Sequence, residues 1–175
     1  MSASTLNDVN LAAVGSLVEK IQAAPEVANT TWAAQVTWKG AFRSAAKIRD
    51  FDPVPSDEPA ALGGTDSAPN PVEQLLGALG NCLAVGYAAN ASVAGIELRG
   101  VTINLDGDID LKTFLGLADA NAGYEAIRVS VDLDAPEASP QQLRELHDKV
   151  VGTSPVGHTL SRPVALKIEL TSRAS

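Results

Sequence analysis

The stretch from Asn70 to Gly95 constrains this chain more than any other, because it reads as one long helix with the sequence's single cysteine, Cys82, near its middle. Asn70 is a good N-cap, Pro71 suits the first helical position, and Glu73 stands where a capping-box carboxylate reaches back to the cap N–H. Val72, Leu75, Leu76, Leu79, Cys82, Leu83 and Tyr87 recur at three- and four-residue steps, the spacing of a helix that buries one face. Cys82 falls on the stripe of Leu75 and Leu79. Gly77, Gly80 and Gly86 each cost a helix about 1 kcal/mol relative to Ala. Three of them predict that something packs close to the helix backbone, and a second copy of the same helix would serve.

At 175 residues the chain supports one sizeable core, and no composition break divides it into independent units. Hydrophobic residues make up 45% and the net charge is −8, which describes an apolar interior under an acidic surface. That charge disfavours nucleic acid as a partner. No apolar run reaches the ~18 residues of a membrane span, and no basic region followed by a hydrophobic signal core opens the sequence. The expected setting is cytoplasmic, without a membrane partner. One cysteine excludes an intramolecular disulfide and argues against a cysteine-ligated zinc site. Redox chemistry, if present, uses one protein thiol and an external partner.

Before the central helix, residues Asp8 to Ala23 carry Val9, Leu11, Val14, Leu17, Val18 and Ile21 at helical spacing, and Pro25 follows as a stop. This amphipathic leader is expected to dock on the body or on a partner subunit. Trp32 to Lys39 alternates as a strand, Gly40 and Ala41 turn the chain, and a second strand is expected from Phe42 to Phe51. There, two-residue spacing places Arg43, Lys47 and Arg49 on one face, which suits either an anion or thiolate site or a solvated face. Asp52 to Pro69, rich in Pro, Gly, Asp and Ser, reads as a long connection without regular structure, a type often functional as a cover.

After the central helix, alternating strands are expected at Leu98 to Leu105, continuing toward Leu111, and at Ala126 to Leu133. Phe114, Leu115 and Leu117 between them suit a pocket wall or a dimer arm. Ser139 opens a second capping-box helix buried through Leu143, Leu146 and Val150, and Val164 to Leu170 alternates as a last strand. Strands and helices mix without regular βαβ alternation, so the class is α+β.

Few motifs carry chemistry on their own. Asp106, Asp108 and Asp110 lack the glycine and distal carboxylate of a calcium loop, since counting from Asp106 gives Leu111 and Leu117 at those places. Gly63-Gly64 lacks the Lys-Ser/Thr of a phosphate loop. No metal or cofactor site is expected. His147 reads as a rim residue of its helix. His158, in Ser154-Pro155-Val156-Gly157-His158, suits a base, a hydrogen-bonding group or a structural role. Cys82 is either an inert small hydrophobe or, given a nearby cation and an opening to solvent, a reactive thiolate.

The run Pro71 to Ala84, the following Gly95-Ile96, the strand ending in Gly107-Asp108-Ile109-Asp110, and Ser154-Pro155-Val156 closely resemble the OsmC/Ohr family of osmotically inducible and organic-hydroperoxide-resistance proteins. The resemblance runs from about residue 30 to about residue 172, leaving residues 1–29 as an N-terminal helical extension before an OsmC-like domain at 30–175. It implies an α+β fold of antiparallel sheets with long central helices, two intertwined subunits forming a homodimer, and a site at their interface.

In the family's peroxidase branches the helix cysteine attacks the peroxide and a second cysteine resolves the sulfenic acid, while an Arg and a Glu organise the site. Cys82 matches the attacking thiol, and Ser154 stands in place of the resolving cysteine. Arg43 or Arg49 matches the arginine. The Glu of the hydroperoxide-resistance branch directly follows the proline, where this chain has Val72, and Glu73 comes one place later. Nine residues put Glu73 about 13.5 Å along the axis from Cys82 and roughly 180° around it, so the capping role is favoured over contact with its own thiol. The implied function is a thiol-dependent peroxidase acting on organic or other hydroperoxides through Cys82, with Glu73, Ser154 and His158 near the pocket and an external thiol as reductant. The alternative is a non-peroxidase dimer that binds a small apolar or thiol-bearing molecule.

Overall fold

The computed structural model describes residues 5–172. Its elements are α1 (Leu11–Ala23), β1 (Gln35–Trp38), β2 (Ser44–Lys47), β3 (Val54–Ser56), α2 (Pro71–Val93), β4 (Gly100–Asp108), α3 (Leu111–Phe114), β5 (Ala126–Asp134), α4 (Pro140–Thr153) and α5 (Pro155–Ser161). Two antiparallel sheets form, one of three strands in the order β1-β2-β3 and one from β4 and β5. The fold is α+β.

Helix α2 is the centre of the core. Asn70 caps it, with the Glu73 N–H donating to Asn70 Oδ1 at 2.9 Å and the Asn70 N–H donating to Glu73 Oε2 at 2.8 Å. Leu79, Leu83, Tyr87 and Ala91 form the buried stripe and meet Ile96, Ala135, Leu146 and Val150. Four-residue steps advance about 40° around a helix, so this stripe drifts away from Leu75, which is exposed, and leaves Cys82 half-buried on its flank. Cys82 is therefore beside the core stripe and not within it. β4 and β5 supply the facing wall, with Ile103 paired to Val131 and Leu105 to Val129, and α4 closes the other side through Leu146 and Val150.

The helix glycines serve this packing within the chain. A Cβ at Gly80 would come within 2.9 Å of Leu105 Cδ1, and one at Gly86 within 2.9 Å of Val150 Cγ1, whereas Gly77 faces open space. The close neighbours at Gly80 and Gly86 are thus β4 and α4 of the same chain, and a second helix is not required to explain them.

Several expected boundaries move. The leader helix begins at Leu11, because Asn7 and Asp8 adopt left-handed backbone conformations and Asn10 provides the cap. The Asn7 amide donates to Ser92 Oγ at 3.0 Å and to the Ile96 carbonyl at 2.9 Å, and its oxygen accepts from the Leu98 N–H at 2.8 Å. The leader is thereby tied to the exit of α2. β2 ends at Lys47, and Arg49 lies beyond it in a left-handed turn, so Arg43, Lys47 and Arg49 do not share one strand.

The connection 52–69 contains β3 and a 3-10 turn, Ala60–Leu62, and is not irregular throughout. Pro55 is tolerated because β3 is an edge strand. Buried Asp57 accepts hydrogen bonds from the Glu58, Thr65 and Ser67 N–H groups and from the Thr65 and Ser67 hydroxyls. The Thr65 hydroxyl, joined by Ser67 and the backbone amides and opposed by desolvation, holds this carboxyl far below the usual range.

The apolar segment around Phe114 forms the short helix α3 with exposed side chains. Val164 to Leu170 is not a strand in the single chain: among the described residues it pairs with no other segment, and Leu166, Ile168 and Leu170 are 84%, 91% and 92% exposed.

Candidate functional site

Helix α2 brings Cys82 against the start of α5, where Ser154 stands in the place that the resemblance gives to a resolving cysteine. Ser154 is the N-cap of α5, Pro155 occupies its first position, and the Gly157 N–H donates to Ser154 Oγ at 3.1 Å. A Cβ at residue 157 would lie 3.0 Å from that oxygen, so this tight first turn requires glycine. Ser154 is buried, and its Oγ lies 3.3 Å from Cys82 Sγ. A hydroxyl has one donor hydrogen and two acceptor lone pairs. With one lone pair used by Gly157, the hydrogen is available to a sulfur acceptor. The arrangement can support a thiolate.

The other expected site residues divide into two groups. His158 follows Ser154 in α5, its N–H donating to the Ser154 carbonyl at 2.9 Å, and its side chain shares a cavity with Ser154. Glu73 is engaged at the cap, and the Tyr124 hydroxyl donates to the adjacent Val72 carbonyl at 3.0 Å. Burial first, then the charge of Glu73, pushes the Tyr124 phenol up.

Arg43 and Arg49 stand apart in the three-stranded sheet region. Arg43 closes the β1–β2 turn, its N–H donating to the Gly40 carbonyl at 3.0 Å, and the Arg49 guanidinium lies 4.6 Å from the centre of the Phe51 ring. Among the described residues, neither guanidinium is within hydrogen-bonding distance of Cys82 of the same chain.

Two residues stand out that sequence reasoning had left in minor roles. Tyr87 is fully buried, and its hydroxyl meets His147 Nδ1 at 2.6 Å with the rings stacked at 6.2 Å. His147 is a rim residue of α4, as its pattern suggested, but it also lines the cavity beside Ser154. The periodicity of α2 placed Tyr87 inward. Its buried hydroxyl, which needs a partner, was the available signal. The aspartates of β4 are engaged otherwise: Arg128 binds Asp106 and Asp108, and Lys112 binds Asp110 at 2.9 Å.

Residues 64–169, more than half of the chain, match the family described as OsmC-like protein. No curated protein matches the chain in sequence. Among solved structures, an OsmC-like protein from Mycoplasma pneumoniae superposes with a TM-score of 0.65 at 19% identity, covering 76% of this chain and 89% of the other. An organic hydroperoxide resistance protein OsmC from Legionella pneumophila superposes at 0.58 with 15% identity, covering 75% and 91%. A third, an organic hydroperoxide resistance protein from Elizabethkingia anophelis, gives 0.55 at 17% identity over 74% and 89%. At these identities the likeness is one of fold.

Proposed function

This chain belongs to the OsmC-like protein family, and from that premise we propose that it is a thiol-dependent peroxidase acting on organic hydroperoxides through Cys82. The observation that carries the reading is the half-buried Cys82 Sγ held 3.3 Å from the capping hydroxyl of Ser154. The Cys82 thiolate attacks one peroxide oxygen, the O–O bond breaks, and the alkoxide leaves and takes up a proton as the alcohol, so that sulfur is oxidised to sulfenic acid and the peroxide reduced. With Ser154 where a second thiol would stand, an external thiol condenses with the sulfenic acid, releasing water, and a second external thiol frees Cys82 by exchange.

The same reading makes the working unit a cytoplasmic homodimer. Val164 to Leu170 and the stretch that carries Trp32, Val36 and Trp38 both expose large apolar side chains, and a second copy supplies a complement to each. Arg43 or Arg49 then reaches the thiolate of the partner, where a guanidinium stabilises negative sulfur and polarises the peroxide. Among the described residues, no helix is long and apolar enough to cross a membrane.

The test is to expose the reduced protein to a stoichiometric organic hydroperoxide, trap with a sulfenic-acid reagent and read the intact mass. Rapid adduct formation on wild type and none on Cys82→Ser is expected. An unmodified wild type would overturn the reading and leave the second one, a dimer that binds a small apolar or thiol-bearing molecule without turnover. That alternative is favoured by the absence of an arginine at Cys82 within one chain among the described residues.

A further inference from the structure

An apolar cavity of about 600 Å³ lies between α2, β5, α4 and α5. Its size is that of a small-molecule site. Leu79 and Leu83 of α2 and Ile127, Val129 and Val131 of β5 form apolar lining, while His147, His158 and Arg162 contribute nitrogen-bearing side chains. The distribution of charge is unusual for this molecule. The sequence has 21 acidic residues against 13 basic ones and only two histidines, yet both histidines line this cavity and, among the described residues, no carboxylate does. Glu125 belongs to an adjoining groove.

Tyr87 gives one of these groups a defined direction. Its buried hydroxyl lies 2.6 Å from His147 Nδ1, and burial pushes the phenol up. A hydroxyl donating to Nδ1 leaves the imidazole hydrogen on Nε2, and among the described residues that nitrogen has no hydrogen-bond partner within the chain. Nitrogen-bearing side chains of Arg162, His158 and His147 therefore line one apolar cavity that, among the described residues, no carboxylate lines.

We propose that this cavity binds an aliphatic carboxylate, with the hydrocarbon chain along Leu79, Leu83 and the β5 side chains and the carboxylate bound by Arg162, His158 and the Tyr87-oriented His147. Cys82 is outside the lining and touches the cavity only through Ser154, so this binding goes beyond the thiol reaction and does not depend on it. Arg162, His158 and His147 are specificity-determining residues, and Tyr87 is a positioning residue.

Calorimetric titration of the full chain with sodium octanoate and with 1-octanol at neutral pH tests the assignment. Octanoate should bind about tenfold more tightly than the alcohol of equal chain length, the effect of charge-assisted hydrogen bonds to a carboxylate. Arg162→Gln and His147→Gln, checked as folded by circular dichroism, should each remove most of that preference while leaving octanol affinity unchanged. Tyr87→Phe should reduce the preference by a smaller factor, a readout that loss of packing alone would not move. Cys82→Ser should bind octanoate as wild type does, so failure of the peroxidase reading leaves this result intact. Equal affinity for acid and alcohol, no saturable octanoate binding, loss of binding in Cys82→Ser, or an unchanged preference in both rim variants would overturn the inference.

Discussion

The region built from α2, β4, β5 and α4 and the region built from β1, β2, β3 and the C-terminal segment follow equally plain hydrophobic patterns, yet only the first satisfies itself. In the first, the stripe Leu79, Leu83, Tyr87 and Ala91 is covered by two strands and a helix of its own chain. In the second, Val36 and Trp38 project exposed from β1 and Trp32 is exposed just ahead of it, while Leu166, Ile168 and Leu170 alternate along a segment that pairs with no strand among the described residues. Soluble monomers rarely keep contiguous apolar surface of more than a few hundred Å² open, and an unpaired strand is a template for pairing with another chain. The contrast teaches that one half of this protein folds by internal closure while the other leaves large apolar side chains and an unpaired alternating segment open.

The largest expected effect falls on the thiol. Cys82→Ser should reduce peroxide consumption to the uncatalysed background while thermal unfolding stays close to wild type, because the side chains are similar in size. Peroxidase assay and thermal melt together check this, and retained turnover would move the chemistry away from α2.

The two halves should then respond differently to damage. Leu83→Ala, in the self-closed half, should cost about 2–5 kcal/mol in chemical denaturation. Ile168→Asp should leave the circular dichroism of that core unchanged but convert the proposed dimer to a monomer in light scattering. A monomeric wild type would remove the basis for the comparison.

Gly86→Ala should cost about 1–3 kcal/mol, since the added methyl meets Val150. Asp57 probes the loop that leads into α2. Its carboxyl is held below the normal range in the folded chain, chiefly by Thr65, so its contribution is present above the ordinary carboxylate pKa and is lost as pH falls toward the depressed folded value. Asp57→Asn should therefore be less stable than wild type at neutral pH, and the two should converge in acid. Parallel melts from pH 7 downward read the difference.

The smallest effect is the most pointed for the comparison. Gly77 faces open space in one chain, so Gly77→Ala should stabilise by about 0.5–1 kcal/mol through helix propensity. A loss instead would mark Gly77 as a place where the second copy packs against α2.

By itself the sequence determined the features whose partners are near neighbours. The capping boxes at Asn70–Glu73 and Ser139–Gln142, the turn at Gly40-Ala41, the alternation of β4 and β5 and the inward face of α2 all depend on residues a few positions apart, where local geometry is the whole constraint. The α+β class and the position of Cys82 on a central helix were legible for the same reason. Only the tertiary structure decided what depended on distant segments meeting. Ser154 reaches Cys82 across 72 residues and His147 reaches Tyr87 across 60, and no local pattern encodes either encounter. The short helix α5, the glycines explained by β4 and α4, and the Asp57 loop also came from packing. Val164 to Leu170 shows the reason most directly: alternation supplies a strand's side chains, but a strand exists only when another backbone is there to pair with it.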